Sequence, residues 1–144
     1  MKLEEILTAA ARAPLNNTQL KQLNEATAGL DAALGIRYLH VAPDRVRTAL
    51  HVASHHLQPA GLVNGGVYCA LAESTASLAG MIAAGSPVVG INNDTDFISA
   101  VKAGVIEADA TPIQLGRRTQ LWQIEMHHRD KLVARTTLRT MPVN

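Results

Sequence analysis

The chain has 144 residues, 47% hydrophobic and 17% charged, with thirteen basic against twelve acidic side chains and a formal charge of +1. That describes one globular domain. Near-equal charges, no basic block and only four Phe, Tyr or Trp rings (Tyr38, Tyr68, Phe97, Trp122) exclude electrostatic recruitment to nucleic acid or to acidic membranes as the basis of function.

Residues 2–33 are rich in Ala, Leu, Gln and Glu and broken by Pro14, which predicts two surface helices, the second capped by Asn16, Asn17 or Thr18 and running towards Ala33. Glu4 and Glu5 set this start apart from the basic-then-apolar pattern of a signal peptide. After Gly35 the texture turns to β-type runs. Residues 45–54 are the clearest strand, with Val46, Thr48, Leu50 and Val52 on one face, behind a turn at Ala42-Pro43-Asp44-Arg45.

The segment HLQPAGLVNGG reads as a loop into a helix over 66–84, GVYCALAESTASLAGMIAA, which is apolar or small nearly all round and therefore interior. Glu73, Ser74, Thr75 and Ser77 interrupt it, which argues against a membrane span. Four strands follow, at 88–97, 104–113, 117–128 and 132–141, with turns at Gly116 and at His128-Arg129-Asp130-Lys131. The order predicts an α+β fold: an antiparallel sheet wrapped around one long central helix, with residues 1–34 as an N-terminal helical extension and 35–144 as the main domain. One cysteine, Cys69, forbids an intrachain disulfide and points to a reducing, cytoplasmic setting.

The charges are unevenly placed. Of the 46 residues between Arg47 and Asp94 only Glu73 is charged, where the average density would supply about eight. A lone carboxylate on a buried apolar helix has a large desolvation cost unless it is neutralised, paired or facing a cavity. Ser77, one turn on, shares its face and can hold a water against it. Gly65 and Gly66, at the helix start, present unpaired N–H groups at the positive end of the dipole, suited to a carbonyl oxygen that gains negative charge. Gln58 and Asn64 flank that turn as hydrogen-bonding side chains. The alternative is that Glu73 bonds nearby backbone or pairs with an arginine of a partner chain, and the pattern alone leaves both open. His51, His55 and His56 cluster, but no Cys or carboxylate close in sequence completes a metal set. Cys69 has no accompanying base and reads as a core thiol.

The stretch HLQPAGLVNGGVYCALAESTAS resembles the signature of the hotdog-fold acyl-CoA thioesterases, in particular the 4-hydroxybenzoyl-CoA thioesterase-like group with a glutamate on the central helix: a Gln-containing loop, a His-Gly-Gly turn and a helix bearing Ala-Glu-Ser. The likeness continues through VVGINNDTDFISAV and LGRRTQLWQIEM, covering about residues 35–141. It implies a hotdog fold and hydrolysis of an acyl-CoA to the free acid and coenzyme A, with no metal and no cofactor apart from the coenzyme A of the substrate. Glu73 would attack the thioester carbonyl or activate water, the Gly65 N–H would polarise that carbonyl with help from Gln58, Gly66 would line the same turn, and Ser77 would hold the water. Asn64 stands where the family pattern has histidine; it keeps the hydrogen bonding but does not titrate near neutral pH. That departure makes a non-catalytic acyl-CoA binding or sensing module the alternative. Arg117 and Arg118 suit the phosphates of coenzyme A, or form a solvated hairpin end. The resemblance also implies that the strand after the helix lines the acyl pocket of a neighbouring subunit, where Asn92 or Asn93 would face substrate; the alternative is that they only cover a subunit seam. A homodimer or homotetramer with sites at the seam is expected.

Overall fold

The computed structural model describes residues 2–143. Helices α1 (Leu3–Ala10), α2 (Asn17–Glu25) and α3 (Gly29–Leu34) precede strands β1 (Ile36–Ala42) and β2 (Arg45–His51). A 3-10 turn at Ser54–His56 and a loop lead into α4 (Gly65–Ala84), and β3 (Val88–Phe97), β4 (Val105–Leu115), β5 (Gln120–His128) and β6 (Lys131–Pro142) complete the chain. The strands form one antiparallel sheet in the order β1-β2-β4-β5-β6-β3, packed around α4. This is the α+β architecture expected from the element order, with β1 and β3 as its edges.

Strand alternation builds the sheet half of the core. Val46, Thr48 and Leu50 of β2, Ile106, Ala108 and Ala110 of β4, and Trp122, Ile124 and Met126 of β5 are all sealed from solvent, and each large apolar side chain contributes on the order of 2 kcal/mol by its burial. Ten residues of α4 are buried. Among the described residues α4 alone is long and apolar enough to cross a membrane, and here its apolar surface lies against the sheet. Thr48, Thr75, Gln120 and Thr140, buried between them, are hydrogen-bonded. Thr75 donates to the Leu71 carbonyl (2.6 Å) and receives the Thr48 hydroxyl (2.7 Å). Gln120 donates to the Gly80 carbonyl (3.2 Å) while its Oε1 accepts from Thr140 (2.7 Å) and the Trp122 indole (3.3 Å). A Cβ on Gly80 would lie 2.6 Å from that oxygen, so glycine is what lets α4 approach the sheet there.

Three boundaries differ from the sequence expectations. The second helix ends at Glu25, because Asn24 turns its amide onto β1, donating to the Tyr38 carbonyl (2.9 Å) and accepting the Tyr38 N–H (2.7 Å); the chain restarts as α3 from Gly29 at φ +61°. The strand expected over 45–54 stops at His51, because Ser54–His56 coils into a turn held by the buried His56. The strand expected from Arg117 begins only at Gln120.

Candidate active site

Residues 57–64 form a closed loop. Leu57 and Val63 pair as an isolated bridge, the Gln58 N–H donates to the Leu62 carbonyl (2.7 Å), and Gly61, at φ +84°, donates to the Gln58 carbonyl (2.9 Å). Gln58 Oε1 accepts the Ala60 N–H, which leaves Nε2 as the side chain's available donor. His56 anchors the loop from below: its Nδ1 accepts the Ala53 N–H (2.9 Å), so Nε2 carries the proton donated to the Leu34 carbonyl (2.8 Å). Burial holds the His56 pKa below its ordinary value, in keeping with that neutral tautomer.

The His56 carbonyl in turn accepts the Asn64 N–H (2.9 Å), and Asn64 is the N-cap of α4, its Oδ1 accepting the Gly66 N–H (2.8 Å). Such a cap stabilises a helix by about 1 kcal/mol. It also removes one of the two candidate donors: Gly66 is occupied, whereas the Gly65 N–H has no hydrogen bond among the described residues. A cleft of about 340 Å³ opens beside it, lined among others by Gln58, Val63, Gly65, Tyr68 and Phe97. The Phe97 ring lies against Gly65, where a Cβ would stand 2.7 Å from the ring tip.

Glu73 is exposed in the single chain, a correction to the expectation of a desolvated carboxylate. The helix repeat puts Gly66, Ala70, Glu73 and Ser77 within a narrow arc, and this edge of α4 is turned away from the core: Gly66 and Glu73 are exposed, Ala70 and Ser77 half-buried. The Glu73 carboxylate rests on β3, its Oε1 2.9 Å from where a Cβ of Gly90 would lie. One helical turn earlier, Asn93 Nδ2 donates to the Cys69 carbonyl (2.9 Å), and its Oδ1 accepts the Thr95 hydroxyl (2.7 Å). Asn93 therefore ties β3 to α4 and is half-buried, whereas Asn92 is exposed. Eight residues separate Gly65 from Glu73, about 12 Å along the helix axis.

Arg117 and Arg118 are exposed in the β4–β5 turn, which is closed by the Gly116 N–H on the Thr119 carbonyl (3.0 Å). Gln120, just beyond, touches Gly80, so both arginines sit towards the C-terminal half of α4, far from Gly65 of the same chain. Among the described residues no three His, Cys, Asp or Glu side chains are grouped to hold a metal; His55 and His56 instead contact the Ala33 and Leu34 carbonyls. Edge strand β3 exposes Val89, Ile91 and Phe97, with Ile98 just after it. Three residues went unnoticed in the sequence: Gly90, whose position inside a strand signals close approach of another group, and Tyr68 and Phe97, which carry no local signal at all.

The profile of the thioesterase superfamily matches residues 60–134. A 1,4-dihydroxy-2-naphthoyl-CoA hydrolase of Escherichia coli is 35% identical, over 65% of this chain and 68% of its own. The proofreading thioesterase EntH of Cronobacter turicensis is 34% identical, over 75% of this chain and 81% of its own. A crystal structure of a Haemophilus influenzae thioesterase superposes with a TM-score of 0.81 at 34% identity, covering 87% of this chain and 90% of that one. With its six-stranded sheet around α4, this chain belongs to the thioesterase superfamily and is a hotdog-fold thioester hydrolase.

Proposed function

We propose that the protein hydrolyses an acyl-CoA thioester to the free acid and coenzyme A, at sites shared between the two chains of a homodimer or of a homotetramer built from it. The carrying observation is the pairing of one unoccupied N–H, Gly65 at the start of α4, with one carboxylate, Glu73, on the solvent-facing edge of the same helix. A thioester carbonyl held by a donor at about 3 Å and attacked from the other side needs its two partners much closer than about 12 Å. Two antiparallel copies of α4 meet that need, bringing Gly65 of one chain towards Glu73 of the partner subunit. The bare, apolar edge of β3 supports such a pairing, since an unpaired edge of this length is a ready template for a second strand.

In that site Glu73 takes a proton from water as the resulting hydroxide attacks, or attacks the carbonyl itself. By either route negative charge grows on the carbonyl oxygen, where the Gly65 N–H, the α4 dipole and Gln58 Nε2 stabilise it. Collapse breaks the C–S bond and the thiolate of coenzyme A leaves. On the water route it takes back the proton Glu73 had received, and the free acid is formed directly. On direct attack the thiolate is protonated by water and the acyl group stays on Glu73 as an anhydride, which a second water cleaves to the free acid and the regenerated carboxylate. Ser77, one turn beyond Glu73, positions the water. Asn64 keeps Gly65 aimed by capping Gly66, a duty that needs no titratable ring. Coenzyme A is favoured as the thiol by the one relative above whose name specifies it, the CoA hydrolase of Escherichia coli, and Arg117 and Arg118 of the partner subunit are suited to its phosphates. The single free cysteine suits a reducing, cytoplasmic setting.

The test is Glu73→Ala against a panel of acyl-CoAs. Loss of a positioned base lowers turnover by about 10²–10⁴-fold with the melting temperature retained. Turnover equal to wild type would refute the assignment, and tight binding of acyl-CoA without hydrolysis by the wild-type protein would favour the sensing module.

A further inference from the structure

Tyr68 stands on the first turn of α4, three residues after Gly65, and is only 3% exposed. It forms part of the wall of the Gly65 cleft beside Gln58 and Phe97. Its hydroxyl is buried and has no hydrogen-bond partner among the described residues. Buried tyrosine hydroxyls nearly always find one, because an unpaired buried polar group is destabilising; phenylalanine would fill the same space without that cost. The other buried hydroxyls described above, those of Thr48, Thr75 and Thr140, are all engaged.

The cover over this part of the cleft is movable. Phe97 is 58% exposed, its ring centroid is 6.0 Å from that of Tyr68, and its tip lies against Gly65. Exposed side chains change rotamer within nanoseconds, so a ligand that turns Phe97 aside uncovers the Gly65 N–H and the Tyr68 wall together. Burial raises the pKa of the Tyr68 phenol, which keeps it protonated and able to donate at neutral pH.

We propose that the Tyr68 hydroxyl is a substrate-binding group, hydrogen-bonding an acceptor a few bonds from the thioester carbonyl held at Gly65. This rests on the thioesterase reading above and adds to the Gly65 N–H and Gln58 a further polar anchor for the substrate in this cleft. Two parts of an acyl-CoA offer such an acceptor: the amide of the pantetheine arm nearest sulfur, and a hydroxyl on an aromatic acyl group.

The experiment measures equilibrium binding of non-hydrolysable thioethers, S-phenacyl-CoA, S-(4-hydroxyphenacyl)-CoA and S-phenacyl-ethanethiol, to the wild-type protein and to Tyr68→Phe, with thermal unfolding of both. One neutral hydrogen bond predicts Kd weakened about three- to tenfold in the variant, with Tm unchanged or higher because the orphan hydroxyl is gone. Weakening confined to the hydroxylated analogue supports the proposal with the acyl hydroxyl as acceptor. Weakening on both CoA analogues but not on the ethanethiol ether supports it with the amide. Equal Kd values for all three in both proteins overturn it, as does a lower Tm with unchanged Kd, or no binding by the wild type. Because binding is read without turnover, a wild type that binds these analogues but hydrolyses no acyl-CoA would overturn the thioesterase reading while leaving the Tyr68 result to stand on its own.

Discussion

If Gly65 and Glu73 act across two chains, subunits that each lack one of them should complement. Gly65→Pro deletes the N–H at the first position of α4, where the fixed φ of proline is favourable, and Asn64 already has the extended backbone, φ −62° and ψ 135°, that a following proline requires. The proline ring would meet Phe97, so Phe97→Ala is carried in every arm. Glu73→Ala removes the carboxylate from the second subunit. Alone, loss of one oxyanion donor costs about 10²–10³ in kcat and loss of the base about 10²–10⁴, so each homodimer keeps no more than about 1% of activity. Equal mixing with subunit exchange yields about half mixed dimers, each with one intact site and one doubly defective site. That restores about a quarter of the parental sites, a recovery well over tenfold above either homodimer, read as free thiol released from an acyl-CoA. Sites contained within one chain predict no recovery. Activity equal to the mean of the two homodimers, with mixed dimers present by native mass spectrometry, would refute the shared site.

Three further outcomes follow from the geometry. Gly90→Val puts side-chain atoms where Glu73 Oε1 rests, at 2.9 Å from the first of them; displacing the base by about 1 Å costs on the order of 10²-fold in kcat, and wild-type kinetics in that variant would remove Gly90 as the seat of the carboxylate. His56 has a lowered native pKa, so below the ordinary imidazole value of about 6.5 the unfolded chain takes up the proton first, and stability falls as pH drops from that value towards the native one. Thermal melts from pH 7.5 to 5 should show this slope, flattened in His56→Gln; an unaltered slope would assign it to other groups. Arg117→Ala with Arg118→Ala should raise KM for an acyl-CoA several-fold and leave KM for the matching acyl-pantetheine, which lacks the nucleotide phosphates, unchanged. An equal rise for both substrates would mean that these arginines bind something other than phosphate.

The architecture was legible in the sequence because period-two and all-round apolar patterns report directly on burial. Trp122, Ile124 and Met126 share a face and are all sealed; GVYCALAESTASLAGMIAA is helical and central. The boundaries that shifted are those decided by side chains reaching across the fold, such as Asn24 clasping β1 and His56 holding Leu34, contacts that no local spacing encodes. At the site, the glycine turn, the cap and the carboxylate could be found by position along the chain. What could not be found was which N–H is occupied. The resemblance named Gly65 as the donor, but only the placement of Asn64 Oδ1 on Gly66 gives the physical reason, and only the fold shows that Asn93 is bonded to the Cys69 carbonyl.

The near-absence of charge between Arg47 and Asp94 has a two-sided physical cause. The buried face of α4 is apolar because the sheet covers it, and that covering accounts for Leu71, Ala72, Thr75, Ala76 and Ala79. It does not account for Gly66, Ala70 and Ser77, which are exposed or half-buried in the single chain yet small and uncharged. An ordinary solvated helix edge carries lysines and glutamates. An edge of small residues bearing one carboxylate is what a helix requires if a second backbone is to approach it closely, with a narrow space left over at Glu73. If Glu73 is the base proposed above, the dry surroundings it needs are supplied by association and not by folding, so monomeric protein at high dilution should lose turnover while its secondary structure persists. Circular dichroism and thiol release followed through the same dilution series would show the two properties separating, and turnover per chain that holds constant below the dissociation range of the dimer would refute that dependence.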